Sequence, residues 1–183
     1  QAQTVSEEVI HTAFQNGQKA ILEAQRADRS ASDMKTTFVY LLVGKEEIRW
    51  AHIGDSRLYR FERGRLAERT LDHSVPQMLV AAGQLKEKQI RHHPDRNRLL
   101  RVMGVDWEEP RYQLGGPAAP AAGQAFLLCS DGFWEWIDEK KMTSALKKSG
   151  SPQEWLQRME EIILKQGRGK NMDNYSAIAV WVG

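Results

Sequence analysis

Residues 127–135 read LLCSDGFWE and join a buried strand to a tight turn that carries an acid. Residues 125–129 are apolar on every side, which is typical of a strand covered on both faces. At the end of that strand lies Asp131, flanked by Ser130 and Gly132. A carboxylate at a strand end is held by rigid backbone and can still face a cleft.

Two other acids lie in the same kind of place. Asp55 follows an apolar strand in the segment 53–56, IGDS, and Asp173 precedes one in the segment 172–175, MDNY. Mg²⁺ and Mn²⁺ take oxygen ligands, so the three carboxylates are candidate metal ligands. The competing interpretation is that each Asp caps its own turn by accepting hydrogen bonds from backbone N–H groups. Spacing alone leaves both interpretations open.

Periodicity predicts the remaining elements. Helices are predicted over about 5–25, 75–82, 86–91, 138–148 and 152–166. Strands are predicted over about 36–43, 47–53, 57–61, 125–129 and 175–182. The first strand is expected to be buried on both faces, and the first three to be antiparallel neighbours. This order favours an α+β fold in which helices pack outside two antiparallel sheets.

Composition restricts the class of protein. A length of 183 residues suits one domain, and 26 Lys and Arg against 24 Asp and Glu give a net charge of +2 without a basic block. Neither nucleic-acid nor membrane binding is therefore indicated, and no apolar run is long enough to span a bilayer. Residues 1–3 offer neither an initiator Met nor the parts of a secretion signal, which suggests that the natural start lies elsewhere.

The remaining reactive side chains have simple structural interpretations. Cys129 is the single cysteine, so it excludes an internal disulfide and is expected to be a buried core thiol, which fits a reducing compartment. His92 and His93 are expected to be exposed loop residues rather than metal ligands. His52 alternates with apolar residues on a strand and is expected to be structural.

The acidic segments resemble the motifs of the metal-dependent protein phosphatases of the 2C type (PPM family). Residues 51–59, AHIGDSRLY, resemble that family's N-x-G-D-S-R motif, and residues 127–135 resemble its LLCSDGLWD segment. Residues 173–180, DNYSAIAV, are similar to its closing DN-x-T-x-I-x-V strand. Between them, residues 72–104 resemble the pattern DHS…G…HP-x-x-N-x-L-x-R-x-x-G of the bacterial branch. The matches occur in family order over about 36–182.

The resemblance implies a four-layer αββα sandwich of two antiparallel β-sheets flanked by helices, as one domain over 1–183 with a flap-like segment at about 72–110. It implies a serine/threonine protein phosphatase that hydrolyses phosphoserine and phosphothreonine monoesters with a metal-activated water. Two or three Mn²⁺ or Mg²⁺ ions would be bound. Asp131 and Asp173 match metal ligands of the family, and Asp55 matches an acidic position of a third, weaker site.

The resemblance also assigns supporting roles. Ser130, Gly132 and Asn174 are expected beside the metal ligands, and Arg96 and Arg98 in the flap-like segment are candidates for substrate contact. Glu135 stands where the family usually has Asp. The implied partner is a phosphoprotein, modified by a Ser/Thr kinase, in the cytoplasm.

One block of the family pattern is absent from this chain. The family's phosphate-binding Arg, an early acidic ligand and a D-G-x-G-G-H motif, which supplies a metal-bridging Asp and a general-acid His, precede the matched region. No catalytic residue beyond the metal ligands is therefore predicted here. We expect weak or no activity from this chain alone, a half-built metal site, and a sheet with an exposed edge or apolar face.

Two explanations for the missing block stay open: a piece of a longer phosphatase, or a natural variant that has lost its active site. The alternative function is accordingly an inactive homologue that binds a phosphoprotein or regulates a kinase. A metal-dependent hydrolase of a small phosphoester on the same fold is a third candidate.

Overall fold

A computed structural model describes residues 5–183, so the start at residues 1–3 lies outside the described residues. The helices in the described part of the chain are α1 (Glu7–Ala27), α2 (Val75–Ala81), α3 (Asp131–Trp134), α4 (Glu139–Lys147) and α5 (Pro152–Gly167). Its strands are β1 (Phe38–Val43), β2 (Ile48–Ile53), β3 (Arg57–Glu62), β4 (Arg65–Arg69), β5 (Gln113–Ala118), β6 (Gln124–Cys129) and β7 (Ala177–Val182). Short 3₁₀ segments occur at Arg29–Ala31 and Glu87–His92.

These elements form two compact units. The first unit contains the chain up to Asp55 together with Asp72–Pro120, and the second contains Ser56–Leu71 and Ala121–Gly183. Each unit has one antiparallel sheet and its own helices. The prediction of two antiparallel sheets flanked by helices is therefore confirmed.

The first unit has a three-stranded sheet in the order β1-β2-β5. Its core is formed by apolar residues of α1, β2 and the segment before β5. These residues are Ile10, Phe14, Ala51, Ile53, Met103 and Tyr112. The rings of Phe14 and Tyr112 stack with their centroids 4.2 Å apart. Helix α1 begins where the Ser6 hydroxyl accepts a hydrogen bond from the backbone N–H of Val9.

The second unit has a four-stranded sheet in the order β4-β3-β6-β7. Strand β6 is buried along its whole length, as its apolar sequence predicts. The Asp138 carboxylate and the Ser151 hydroxyl cap the N-termini of α4 and α5. Trp155 of α5 is fully buried and meets Phe61 of β3 edge to face, with centroids 5.2 Å apart.

The prediction that the first three strands are neighbours is wrong. Strand β3 does not join β1 and β2; it pairs with β4 and β6. The reason is that both edges of β2 are occupied, one by β1 and the other by β5. Strands β4 and β5 were not predicted, so the sequence missed two strands.

Strand β1 is not buried on both faces as predicted. All its residues are half-buried or exposed, and Val43 is 45% exposed, because within residues 5–183 β2 is its single partner strand. Strand β7 is also an edge strand, and its Ile178 is 61% exposed. An exposed edge that carries apolar side chains is therefore present, as expected.

Two further expectations are confirmed: Cys129 is a buried free thiol and His52 is buried on β2. The expectation that His92 and His93 are exposed loop residues is wrong in part, because His92 is exposed but lies in the 3₁₀ segment Glu87–His92. His93 is half-buried, and its Nδ1 accepts a hydrogen bond from the Asp95 backbone N–H. Among the described helices, none combines the length and the apolarity that crossing a membrane requires.

Candidate metal site

The Asp131 carboxylate lies where β6 ends and the single-turn helix α3 begins. Its Oδ1 accepts a hydrogen bond of 2.8 Å from the Gly132 backbone N–H. The carbonyl oxygen of Ser130 accepts from the N–H groups of Phe133 and Trp134, which closes the turn. The side chains of Phe133 and Trp134 are buried and hold α3 in place. Asp131, at the start of the same helix, is half-buried.

The Asp173 carboxylate lies on the segment that leads into β7. Its Oδ1 accepts a hydrogen bond of 2.8 Å from the Asn174 backbone N–H, and both residues are exposed. Both acids thus use one oxygen to cap their own turns, as the competing interpretation predicted. A carboxylate has about four lone-pair sites, so one such hydrogen bond leaves most of each group available to a cation.

Backbone contacts hold the two acidic loops against each other. The Ser130 N–H donates to the Ser176 carbonyl oxygen at 3.1 Å, and the Ser176 N–H donates to the Ser130 hydroxyl at 3.0 Å. A Cβ atom added to Gly132 would collide with the Asn174 carbonyl oxygen and would lie 3.2 Å from that of Asp173. The contact therefore requires glycine at position 132.

The donor set fits a hard divalent cation in part. Two carboxylates on touching loops suit Mg²⁺ or Mn²⁺, since such ions keep several waters and need only one or two carboxylates. Within residues 5–183, however, no group of three His, Cys, Asp or Glu side chains is placed to hold one metal ion. The residues present thus fit an ion held by two carboxylates and water, and not a closed cage.

The other predicted site residues lie on separate segments of the chain. Asp55 lies in the first unit directly after β2 and is 5% exposed. Arg96 is half-buried and Arg98 exposed, and the carbonyl oxygen of Arg98 accepts from the Val75 N–H at the start of α2. Glu135 follows α3, and its N–H donates to the Asp131 carbonyl oxygen at 2.9 Å.

His73 lies beside the turn that carries Asp55. Its Nδ1 accepts a hydrogen bond of 3.1 Å from the Gly54 N–H, and its ring stacks on that of His52 with centroids 4.6 Å apart. Burial of the ring, followed by the nearby His52 and Arg101, lowers the pKa of His73 to about 4, although Gln113 and Asp72 oppose the shift. The imidazole is therefore neutral at neutral pH.

We expect this neutral imidazole to make the chain acid-sensitive. Because the pKa of His73 is about 4 in the folded state and that of an ordinary histidine is 6.5, the contribution to stability is present above pH 6.5 and is lost as the pH falls towards 4. The free energy of unfolding should drop by about 1–2 kcal/mol across this window, after allowance for the partly solvated ring. Urea denaturation at pH 7 and pH 4.5 measures the drop.

The control variant keeps a hydrogen-bond acceptor for the Gly54 N–H and removes the titrating imidazole. His73→Asn retains an oxygen that can accept from Gly54 and should flatten the pH dependence, whereas His92→Gln at an exposed position should leave it unchanged. An equal loss of stability in His73→Asn and the parent chain between the two pH values would contradict the assignment.

Comparison with known proteins shows which proteins this chain is similar to. The serine/threonine phosphatase stp of Listeria welshimeri is 28% identical over 172 residues, which cover 93% of this chain and 66% of that protein. The crystal structure of the Mycobacterium tuberculosis serine/threonine phosphatase PstP/Ppp matches 94% of this chain and 71% of its own, with a TM-score of 0.81 and 27% identity. The chain is a homologue of bacterial 2C-type serine/threonine phosphatases.

Two further findings qualify this homology. The structure of the PstP catalytic domain in complex with two manganese ions covers 91% of the 183-residue chain, and the match covers 67% of the PstP chain. The TM-score is 0.74 and the identity is 25%. No family model matches the chain. The 183-residue chain spans 66% of the length of the Listeria phosphatase.

Sequence reasoning missed several residues that shape the site of this phosphatase homologue. Arg57 lies over the Trp134 ring of α3, and the Tyr175 hydroxyl donates to the Glu160 carboxylate at 2.9 Å beside the Asp173 loop. That carboxylate raises the pKa of Tyr175. Arg57 was visible in the quoted motif, but nothing in the sequence pairs it with a residue so far along the chain.

Proposed function

We propose that the protein is a metal-dependent serine/threonine protein phosphatase in which Asp131 and Asp173 hold Mn²⁺ or Mg²⁺. The observation that carries the proposal is the contact between the loops 130–132 and 173–176, which joins the loops of two carboxylates from the last two motifs along the chain. The homologues named serine/threonine phosphatases support the reaction, and the PstP structure with manganese supports the class of metal.

In this proposal the chain's own residues bind and orient. Asp131 supplies anionic oxygens directly after β6, and Asp173 supplies them from the segment that leads into β7. The two hydrogen bonds between Ser130 and Ser176 hold these loops together. When bound, the divalent ions lower the pKa of a water and offset charge on the phosphoryl oxygens. Hydrolysis breaks the bond from phosphorus to the serine or threonine oxygen and forms one to the water oxygen, with no covalent enzyme intermediate.

The number of ions and the surroundings of the reaction are further parts of the proposal. We propose that the ion held by Asp131 and Asp173 is one of two, with Asp55 contributing to a third, weaker site. The substrate is a phosphoprotein modified by a Ser/Thr kinase in the cytoplasm, with Arg96 and Arg98 on the flap-like segment as candidate contacts. The single buried thiol is consistent with a reducing compartment.

Metal binding and hydrolysis test the proposal separately. Manganese electron paramagnetic resonance measures free Mn²⁺ during titration of the 183-residue chain. Asp131→Asn and Asp173→Asn should each weaken Mn²⁺ binding by about tenfold or more, because each removes an anionic ligand and keeps the shape of the side chain. Asp33→Asn, at an exposed residue of the first unit, is the matched control and should change the affinity by less than about twofold.

Hydrolysis of a phosphothreonine peptide by the full-length protein, with and without Mn²⁺, is the second measurement. We expect turnover to require Mn²⁺ and to fall in both Asp variants. Turnover that persists without metal, or that survives both substitutions, would disprove the mechanism. Mn²⁺ binding without hydrolysis is the result expected of the 183-residue chain alone. The same result for the full-length protein would reject the phosphatase reaction and favour the inactive, phosphoprotein-binding homologue.

A further inference from the structure

Arg57 is a cation buried inside the second unit. It is 2% exposed, and its guanidinium carbon lies 3.5 Å from the centroid of the Trp134 ring, which is 1% exposed. Its Nη1 donates a hydrogen bond of 3.0 Å to the Tyr59 hydroxyl. The Tyr59 hydroxyl in turn lies 3.5 Å from the Glu139 carboxylate at the start of α4, which places a negative charge near the buried cation.

The position of Arg57 relates it to the candidate metal site. In the pairing of β3 with β6, Arg57 lies opposite Cys129, the last residue of β6. Ser130 and Asp131 follow Cys129 directly. The guanidinium therefore lies at the strand end from which the Asp131 turn emerges, and it stacks on the residue that ends α3.

Helix α3 depends on contacts of this kind. It has four residues. A single helical turn is not stable alone, because the entropy lost in fixing its backbone outweighs the free energy of its few hydrogen bonds. Its orientation is thus set by the side chains that anchor it, Phe133 and Trp134. The stack of Arg57 on Trp134 fixes one of these anchors, and a desolvated cation–π contact is among the stronger ones available.

We propose that Arg57 is a positioning residue: by holding the Trp134 ring it sets the orientation of α3 and thereby of the Asp131 carboxylate. The inference rests on the proposed function in so far as Asp131 binds a metal ion. The proposal assigns Arg57 no contact with metal or substrate. Its effect passes through Trp134 to the backbone of residues 131–134.

Local hydrogen exchange and Mn²⁺ affinity test the proposal in the full chain. Arg57→Met keeps the length of the side chain and removes its charge and planar stack. The amides of residues 132–135 should then exchange about tenfold faster than in the parent chain, and Mn²⁺ affinity should fall about tenfold. Arg60→Met on the same strand is the matched control, because Arg60 pairs with Glu62 and Glu68 rather than with Trp134.

The outcomes are separable. Faster exchange confined to residues 132–135 supports positioning, whereas a uniform increase over β3, β6 and α5 means that Arg57 only stabilises the unit and overturns the proposal. Unchanged exchange at residues 132–135 also overturns it. If the parent chain binds no Mn²⁺, the proposed function fails while the exchange measurement still decides the role of Arg57. Should Arg57→Met not fold, Arg57→Lys is the second variant, because it keeps the charge but not the planar stack. The amides of residues 132–135 should then exchange at least about threefold faster than in the parent chain.

Discussion

Gly132→Ala is expected to separate the two acidic loops. The added methyl group would collide with the Asn174 carbonyl oxygen and press on that of Asp173, and both are backbone atoms that cannot rotate away. Overpacking of this kind costs about 1–3 kcal/mol of stability. Because the loops must part to relieve the collision, Mn²⁺ affinity should also fall by about tenfold or more.

Gly150→Ala is the matched control for this substitution. A Cβ atom at position 150 meets the Glu154 carboxylate at an ordinary 3.6 Å and nothing closer. Its stability should therefore stay within about 0.5 kcal/mol of the parent chain. Chemical denaturation and Mn²⁺ titration of both variants measure the difference. An alanine at position 132 that leaves both quantities unchanged would show that the loops are not in the contact described.

The acidic loops show how much of the site the sequence could predict. Asp131 and Asp173 were recognised because each adjoins a strand of apolar residues, a local pattern. The contact between their loops depends on Ser130 pairing with Ser176, and no local pattern reports which distant segments pair. The stack of Arg57 on Trp134 was missed for the same reason.

The missed strands have a related explanation. Strand β5 reads QLGGPA, in which glycine and proline argue against a strand. Its pairing is decided by β2, whose Trp50 ring lies so close to Gly115 that a Cβ there would collide with the indole. Strand β4 is short and charged, and an ion pair of 3.2 Å from Arg60 to Glu68 joins it to β3. Tertiary partners, rather than intrinsic propensity, make both segments strands.

The half-exposed strand β1 shows the opposite error. Its sequence FVYLLV is apolar on both faces, which correctly predicts a strand but overstates its burial. Burial depends on what covers the faces and edges, and β1 has a partner on one edge. A run of apolar residues therefore reports a preference for burial and not the burial that the described chain achieves.

Trp155→Ala is expected to have the largest effect on stability. The Trp155 side chain is fully buried, its ring meets Phe61 of β3, and its Nε1 donates a hydrogen bond of 3.0 Å to the Met142 carbonyl oxygen in α4. One side chain thus joins α5, α4 and the sheet of the second unit. Removing it leaves a large cavity and takes one hydrogen bond from the Met142 carbonyl oxygen, which should cost about 3–5 kcal/mol.

Trp155→Phe separates the two contributions to that cost. Phenylalanine keeps an aromatic ring against Phe61 but cannot donate to Met142, so we expect a smaller loss of about 1–3 kcal/mol. Urea denaturation followed by circular dichroism measures both variants. Because Glu160, the partner of Tyr175, lies on the same helix, a loosened α5 should also perturb the segment beside Asp173. Equal stabilities of the alanine and phenylalanine variants would mean that the ring contributes little and that α5 is held by its other buried residues, Met159 and Ile163.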